Sequence, residues 1–238
     1  MSGLLANVLE AHGGLARWGR YSRARATIVS GGALWGLKSV PQDAAPRLMR
    51  VDLHRQWASV SPFGAPDQLT DFTPDRIAIL KTDGAVVAER RDPRAHFEGH
   101  QLTTPWDALD RAYFNGYALW TYLTTPFLLA SAQVQTTEEA LWREGEETWR
   151  VLRAEFSPAI ATHSRVQRFY FGDDGLLRRH DYDVEIAGEL TGAQLVGDYV
   201  EADGLKLPTR RRAYVRGPDG RPADPLMVSI DLSDIHFE

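Results

Sequence analysis

The sequence contains no cysteine. Disulfides, thiolate metal sites, thiol nucleophiles and cysteine-ligated clusters are thereby excluded together. No stretch approaches the ~18 consecutive apolar residues of a membrane span. The longest candidate, 113–132, is broken by Asn115, Thr121, Thr124, Thr125, Pro126 and Ser131. Positive charge is not in excess either: the formal net charge is −5, which argues against a nucleic-acid partner. There is no Gly-x-x-x-x-Gly-Lys-Ser/Thr run and no Gly-x-Gly-x-x-Gly run, so no nucleotide cofactor is implied. The nearest match to a nucleophile elbow, Ile28-Val29-Ser30-Gly31-Gly32, lacks its first glycine. His163 and Ser164 are adjacent, a spacing unsuited to a nucleophile–base pair, so a serine hydrolase is rejected. No basic residue precedes the apolar start Met1–Glu10, and Asn7 and Glu10 interrupt it. That pattern carries no export signal and predicts a cytoplasmic protein.

What is present is ordinary for a globular chain. The 238 residues are 43% hydrophobic and 25% charged, enough to bury a core and too apolar for a disordered chain. No linker, internal repeat or low-complexity tract divides them, which predicts one domain over 1–238. Residues 3–19 have helical spacing through Leu4, Leu5, Val8, Leu15 and Trp18, weakened at Gly13-Gly14. From Arg23 the period becomes that of strands. Thr27–Val29 and Ala33–Leu37 flank Gly31-Gly32 as a predicted hairpin; 48–54 and 56–61 are strand-like. Arg76–Leu80 and Ala85–Arg90 flank Thr82-Asp83-Gly84, a second hairpin signal. Helical spacing returns over 105–124, with Asp107 and Asp110 in the first turns and Pro126 beyond the end. Six strand-like runs follow, at 148–156, 165–171, 176–186, 194–201, 207–215 and 226–237. The expected fold is mainly β (α+β): a curled antiparallel sheet or incomplete barrel of about ten strands. An N-terminal helix precedes it, and the central aromatic helix covers its concave face.

The stretch Arg168-Phe169-Tyr170-Phe171-Gly172-Asp173-Asp174-Gly175-Leu176-Leu177 leads to Gly197-Asp198-Tyr199, then to Asp203-Gly204-Leu205-Lys206-Leu207-Pro208-Thr209. This strand–turn–strand region, with the closing Val228–Ile235, resembles proteins of the bacterial lipoprotein-carrier (Lol-type) fold. The resemblance covers the C-terminal third well and the remainder by element order. It implies an incomplete β-barrel, lined by apolar side chains and capped by helices, that carries lipid.

Candidate functional residues fall into three groups. Seven aromatics lie between Trp106 and Phe127. Of these, Trp106, Tyr113, Tyr117 and Trp120 form a stripe suited either to core packing or to the wall of a lipophilic site. Strand alternation over 176–186 puts Arg178, His180 and Tyr182 on a mostly apolar face, with Arg179, Asp181, Asp183 and Glu185 opposite and solvated. His54 shares a strand face with Asp52, which could orient its imidazole. His96, Glu98 and His100 are weak candidate metal ligands, in a segment that Asp92-Pro93 and Gly99 mark as a loop. Arg210-Arg211-Arg212 reads as an alternating strand, with Arg210 and Arg212 on one face, Arg211 on the other, and a solvated face as the default. Two functions follow. One is a binding or carrier protein for a hydrophobic small molecule held between the sheet and the 106–124 helix, with Arg178 at its polar end. The other is a cofactor-independent isomerase, cyclase or lyase acting on a lipophilic substrate, with His180, His54, Tyr182 and Asp52 as acid–base groups.

Overall fold

A computed structural model describes residues 3–40, 43–188 and 190–238. Met1 and Ser2, where the segment read for an export signal begins, lie outside them. Helix α1 (Gly3–Ala11) buries Leu4, Leu5, Val8 and Leu9 along one face. Each such side chain is worth roughly 1.5–3 kcal/mol when fully buried. The chain then breaks at Gly13 and Gly14, where φ is 113° and 83°, before the single turn α2 (Leu15–Trp18). A side chain at Gly13 would meet the Gly204 carbonyl at 2.5 Å. The weak point in the helical pattern is thus where the N-terminal segment docks on a distant turn.

Thirteen antiparallel strands form one continuous sheet among the described residues. In chain order they are β1 (Arg23–Gly31), β2 (Arg47–Asp52), β3 (Ala58–Ser61), β4 (Gln68–Thr73), β5 (Arg76–Lys81) and β6 (Val86–Arg91). After the helical connection come β7 (Val134–Glu144), β8 (Glu147–Phe156), β9 (Val166–Phe171), β10 (Leu177–Val184), β11 (Leu190–Ala202), β12 (Leu205–Arg216) and β13 (Pro222–Phe237). The spatial order is β6-β5-β4-β3-β2-β1-β13-β12-β11-β10-β9-β8-β7. First and last strands therefore meet in mid-sheet, with Ala24 opposite Phe237 and Ser30 opposite Ile230. The two edges, β6 and β7, are consecutive in sequence and do not pair, so the barrel stays open.

The connection between those edges carries α4 (Ala108–Thr124) against β2 to β6 on the concave side. A capping box starts it: the Asp107 carboxylate accepts from the Asp110 backbone at 2.8 Å, and Asp110 reciprocates at 3.0 Å. Thr125-Pro126 ends it. Only Ala108, Arg111 and Asn115 along α4 are not buried. A helix apolar all round must be enclosed, and here strands β2 to β6 and the 157–165 loop, through His163, pack against it. Thr121, Thr124 and Thr125 remain inside by bonding back to carbonyls one turn earlier, at 2.8 Å each.

Three expectations need correction. There are thirteen strands, not about ten. The strand β4, whose inward face carries Thr70 beside Phe72, and the glutamate-rich edge strand β7, exposed along most of its length, escaped notice because each offers too few alternating apolar residues to read. Residues 34–37 are a helical turn, α3 (Leu34–Leu37), and β1 takes β2 and β13 as partners instead. The face of Arg179 and Asp181 is not solvated: they are 0% and 2% exposed. Trp142, Trp149, Val151 and Tyr170 form a small second core on the convex side. The Arg179 guanidinium lies 5.0 Å from the Trp142 ring and 4.9 Å from Tyr170, and pairs with Asp181 at 2.6 Å.

α4 approaches the sheet closely at Gly116, where an added Cβ would fall 2.3–2.7 Å from the Phe72 side chain. Gly116→Ala is expected to lower the unfolding free energy by about 1–3 kcal/mol in urea titrations through overpacking. Gly36→Ala, with nothing near its added methyl, should be neutral or stabilising by up to about 1 kcal/mol.

Candidate functional site

The concave interior is filled by side chains, and a chain of polar groups runs through it. Tyr117 Oη lies 3.2 Å from Nδ1 of His163, and Tyr122 Oη 2.7 Å from its Nε2. Tyr122 Oη is 3.1 Å from Tyr182 Oη, and Tyr182 accepts from Gln194 Nε2 at 3.4 Å. Gln194 Oε1 accepts from Arg211 at 2.9 Å, and Arg211 also donates to the Tyr122 carbonyl at 2.9 Å. An arginine only donates, so Gln194 presents oxygen to it and N–H to Tyr182. Donation continued in that direction runs from Tyr182 to Tyr122 to His163 Nε2, leaving Nδ1–H to face Tyr117. The His163 ring stacks on Tyr182 at 3.9 Å and 8°. Beside this chain, His180 stacks on Phe169 at 4.2 Å and donates to Gln167 at 2.6 Å. Gln167 in turn donates to Thr162 and to the Ser164 carbonyl.

Burial keeps these groups neutral. It pushes His163 down to about 3 and His180 well below the usual histidine range; the neighbouring Arg94 adds to the first effect, and His163 and Arg211 to the second. Burial likewise raises Tyr117, Tyr122 and Tyr182. Arg211, 2% exposed, has no carboxylate partner among the described residues, and burial lowers it.

Two grooves open at the mouth of the sheet. The larger, about 630 Å³, has a floor of Trp18, Leu53, Trp120, Phe127, Leu128 and Ile160. Trp18 and Phe127 stack at 4.4 Å, and the Trp120 indole donates to the Asp52 carbonyl at 2.8 Å. The second, about 500 Å³, is lined by Asp75, Asp92, Arg94, Tyr113, Arg165 and Glu185 among others. Pro74, Ala159 and Ile160 line both. The 157–165 loop between them is tied down at two points. Gln56 bonds both the N–H and the carbonyl of Ala161, at 2.9 and 2.6 Å. Arg94 donates to the Thr162 carbonyl at 2.9 Å and pairs with Glu185.

The candidate residues are thus distributed. His180 and Tyr182 lie together in the interior, ring centroids 4.8 Å apart, with no carboxylate among the described residues bonded to either. Arg178 is not with them: a bulge between Leu177 and Arg179 breaks the alternation and turns Arg178 to the convex side, where it pairs with Asp174 at 2.7 Å. His54 is in a turn at the larger groove and donates to the Tyr21 carbonyl at 2.8 Å. The Asp52 carboxylate accepts from the backbones of His54 and Arg55 at 3.0 and 2.9 Å, so it shapes the turn and does not orient the imidazole. Trp120 lines the larger groove and Tyr113 the smaller, whereas Trp106 and Tyr117 line neither. His96 and His100 approach ring to ring at 5.6 Å in the turn after β6. His96, Asp107 and Asp110 place ligand atoms within 4.8 Å of one another, without Glu98. Arg90 holds both aspartates at 2.6 Å, which makes this cluster an ionic clamp on the start of α4.

Sequence reasoning missed Tyr122, Gln167, Gln194 and Arg211 and rejected His163. Alternation along β12 does point Arg211 opposite to Arg210 and Arg212, beside Leu207 and Ala213. That was the available signal for a buried arginine.

Neither a protein-family model nor a curated protein matches the chain in sequence. Solved structures match its shape. A LolA superfamily protein from Nitrosomonas europaea has a TM-score of 0.52 at 12% identity, over 96% of this chain and 90% of that one. A DUF1329 family protein from Desulfovibrio piger gives 0.54 at 10%, over 99% and 92%. An outer membrane lipoprotein-sorting protein domain from Vibrio parahaemolyticus gives 0.52 at 11%, over 98% and 92%. The fold is therefore Lol-type, as the C-terminal residues suggested. The cytoplasmic expectation is corrected by these neighbours, one of which is described as sorting outer-membrane lipoproteins. No helix among the described residues is long and apolar enough to cross a membrane.

The buried histidines set an acid limit on stability. Unfolded histidine titrates near about 6.5, whereas burial holds His12 to about 4 and His163 to about 3 in the folded state. Above the unfolded value neither state is protonated and stability is at its full level. Below it only the unfolded chain takes up the protons. Urea midpoints should be flat from pH 8 to 7 and fall below pH 6.5, at about 1.4 kcal/mol per pH unit for each histidine. His12→Gln should reduce that slope.

Proposed function

We propose that this protein is a binding or carrier protein for a hydrophobic small molecule, seated in the groove floored by Trp18, Leu53, Trp120, Phe127, Leu128 and Ile160. The observation that carries this reading is that floor: six apolar side chains from α2, the β2–β3 turn, α4 and its C-terminal extension, and the 157–165 loop converge on one opening. Its volume suits a chain of drug or lipid size, since such sites span roughly 300–1,000 Å³. The Lol-type fold supports the reading, and so does the composition of the groove. A tryptophan offers a wide apolar surface with one polar edge; Trp18 and Trp120 are largely buried and line the groove, and the Trp120 indole is anchored on the Asp52 carbonyl. Acid–base catalysis draws less support. The interior histidines are sealed and neutral, and the groove histidine, His54, has no carboxylate on its ring.

Native mass spectrometry of freshly purified protein, followed by denaturation and identification of what is released, is expected to show a lipophilic adduct of one per chain. Ala159 is exposed at the rim of both grooves. Ala159→Trp should fill the opening and lower adduct occupancy at least about tenfold, a loss of 1.4 kcal/mol or more, with the melting temperature unchanged. A protein with no adduct and no affinity for added long-chain alcohols would overturn the reading.

A further inference from the structure

The wall of the larger groove carries no fixed charge. Sixteen of the described residues line it, and none is aspartate, glutamate, lysine or arginine, although charged residues make up 25% of the chain. Asp52, next to Leu53 in the chain, spends its carboxylate on the backbones of His54 and Arg55 and on the Arg55 side chain. The adjoining smaller groove mixes carboxylates with guanidinium groups and so favours neither sign. A charged head group moved from water onto the uncharged wall would lose hydration and gain no counter-ion.

The polar groups of that wall are few, and most are spent within the protein. Gln56 gives both ends of its amide to Ala161. The Trp120 indole N–H is shared between the carbonyls of Asp52 and Arg55. The Thr124 hydroxyl donates to the Trp120 carbonyl at 2.8 Å, and the Ser131 oxygen accepts from the Gln133 backbone at 3.2 Å. The Gln133 side chain is exposed, and no partner among the described residues holds its amide in one orientation. His54 differs from all of these. Its Nε2 lies 2.8 Å from the Tyr21 carbonyl, and a carbonyl only accepts, so Nε2 carries the hydrogen. In the neutral ring Nδ1 is then a lone-pair acceptor, and no group among the described residues donates to it. The ring is held at its other nitrogen and stands edge-on to Trp18 at 6.3 Å. One fixed, unspent acceptor on an otherwise apolar wall is the kind of group that orients a ligand.

We propose that the ligand is an uncharged lipid with a hydroxyl head, its hydrocarbon portion on Trp18, Trp120 and Phe127 and its O–H donating to Nδ1 of His54. This assignment rests on the hydrophobic-ligand reading above and adds the chemistry of the head. A hydroxyl supplies the hydrogen that Nδ1 lacks and needs no counter-ion. A carboxylate brings only oxygens to that lone pair, together with a charge that nothing on the wall compensates. An ammonium can donate to Nδ1 but is left equally uncompensated. An ether has the polarity of the alcohol without its hydrogen, and leaves Nδ1 unpaired.

The test uses four probes with one ten-carbon tail and different heads: decanol, decyl methyl ether, decanoate and decylamine. Each is kept below its solubility limit at pH 7.5, and binding to the full chain is followed by intrinsic tryptophan fluorescence and by calorimetry. Decanol is expected to bind at least about fivefold more tightly than the ether, the effect of one neutral hydrogen bond. It should bind at least about tenfold more tightly than the acid or the amine, whose charges the wall leaves uncompensated. His54→Phe keeps a ring against Trp18 and removes the acceptor, so it should bring the alcohol down to the ether. That variant also loses the bond to the Tyr21 carbonyl, and any loosening of the turn weakens both probes alike. The alcohol-to-ether ratio therefore reads the hydrogen bond alone. Equal binding of alcohol and ether, a charged probe binding as tightly as the alcohol, or a ratio that survives His54→Phe would overturn the head assignment while leaving the hydrophobic groove standing. No binding of any probe would overturn both.

Discussion

The rest of the structure depends on where the sheet's two edges fall in the sequence. β6 and β7 are consecutive strands that end up on opposite margins of a thirteen-stranded sheet. The connection between them must cross the sheet, and the shorter route lies over the concave face. That segment is the most aromatic in the chain, so the crossing also fills the interior. A closed barrel would have no such crossing. The open one keeps a mouth, and the mouth is where α4, the β2–β3 turn and the 157–165 loop come together.

An apolar helix alone would not fix its rotation in an apolar bed. The polar chain from Arg211 through Gln194, Tyr182 and Tyr122 to His163 and Tyr117 does so. Each member satisfies its neighbour, and loss of one leaves a buried group unpaired, at about 1–3 kcal/mol. A buried arginine with only neutral partners is costly. It is tolerated here because both of its terminal nitrogens have oxygen acceptors and its plane lies 4.7 Å from the Tyr122 ring. The network also ties the 157–165 loop to α4 through His163, so the inner wall of the mouth is anchored in the core. Polar atoms in the interior therefore serve register and position, and the histidines among them are held neutral by burial.

The mouth differs from the interior in kind. Its apolar groove and its charged groove adjoin along Ala159 and Ile160, and carboxylates and guanidinium groups line only the second. Elsewhere on the surface many arginines are paired, among them Arg210 with Asp198, Arg212 with Asp231 and Arg168 with Glu139.

Much of this was legible in the sequence. Absent cysteine and absent long apolar runs bounded the class. The Asp83-Gly84 hairpin, the 105–124 helix with its Asp107 cap and Pro126 stop, and the long C-terminal strands are local signals, set by backbone preference and side-chain period, and the structure has them. The Gly-Asp-Tyr to Pro-Thr region was enough to identify the fold type. The strands β4 and β7 were not legible, because polar residues interrupt the apolar alternation of the first and most of the second is exposed. Nor were the single-residue bulge that turns Arg178 outward and the second core that buries Arg179 and Asp181. Those depend on neighbours far along the chain. Only the tertiary structure could bring His163 to Tyr122 and Tyr182, since these contacts join strands and loops on separate stretches of the sequence. The sequence by itself determined most of the elements and the placing of an aromatic helix against a curled sheet. The tertiary structure decided which polar residues are sealed inside and which stay open at the mouth, because burial is set by what packs against a residue and not by the residue alone.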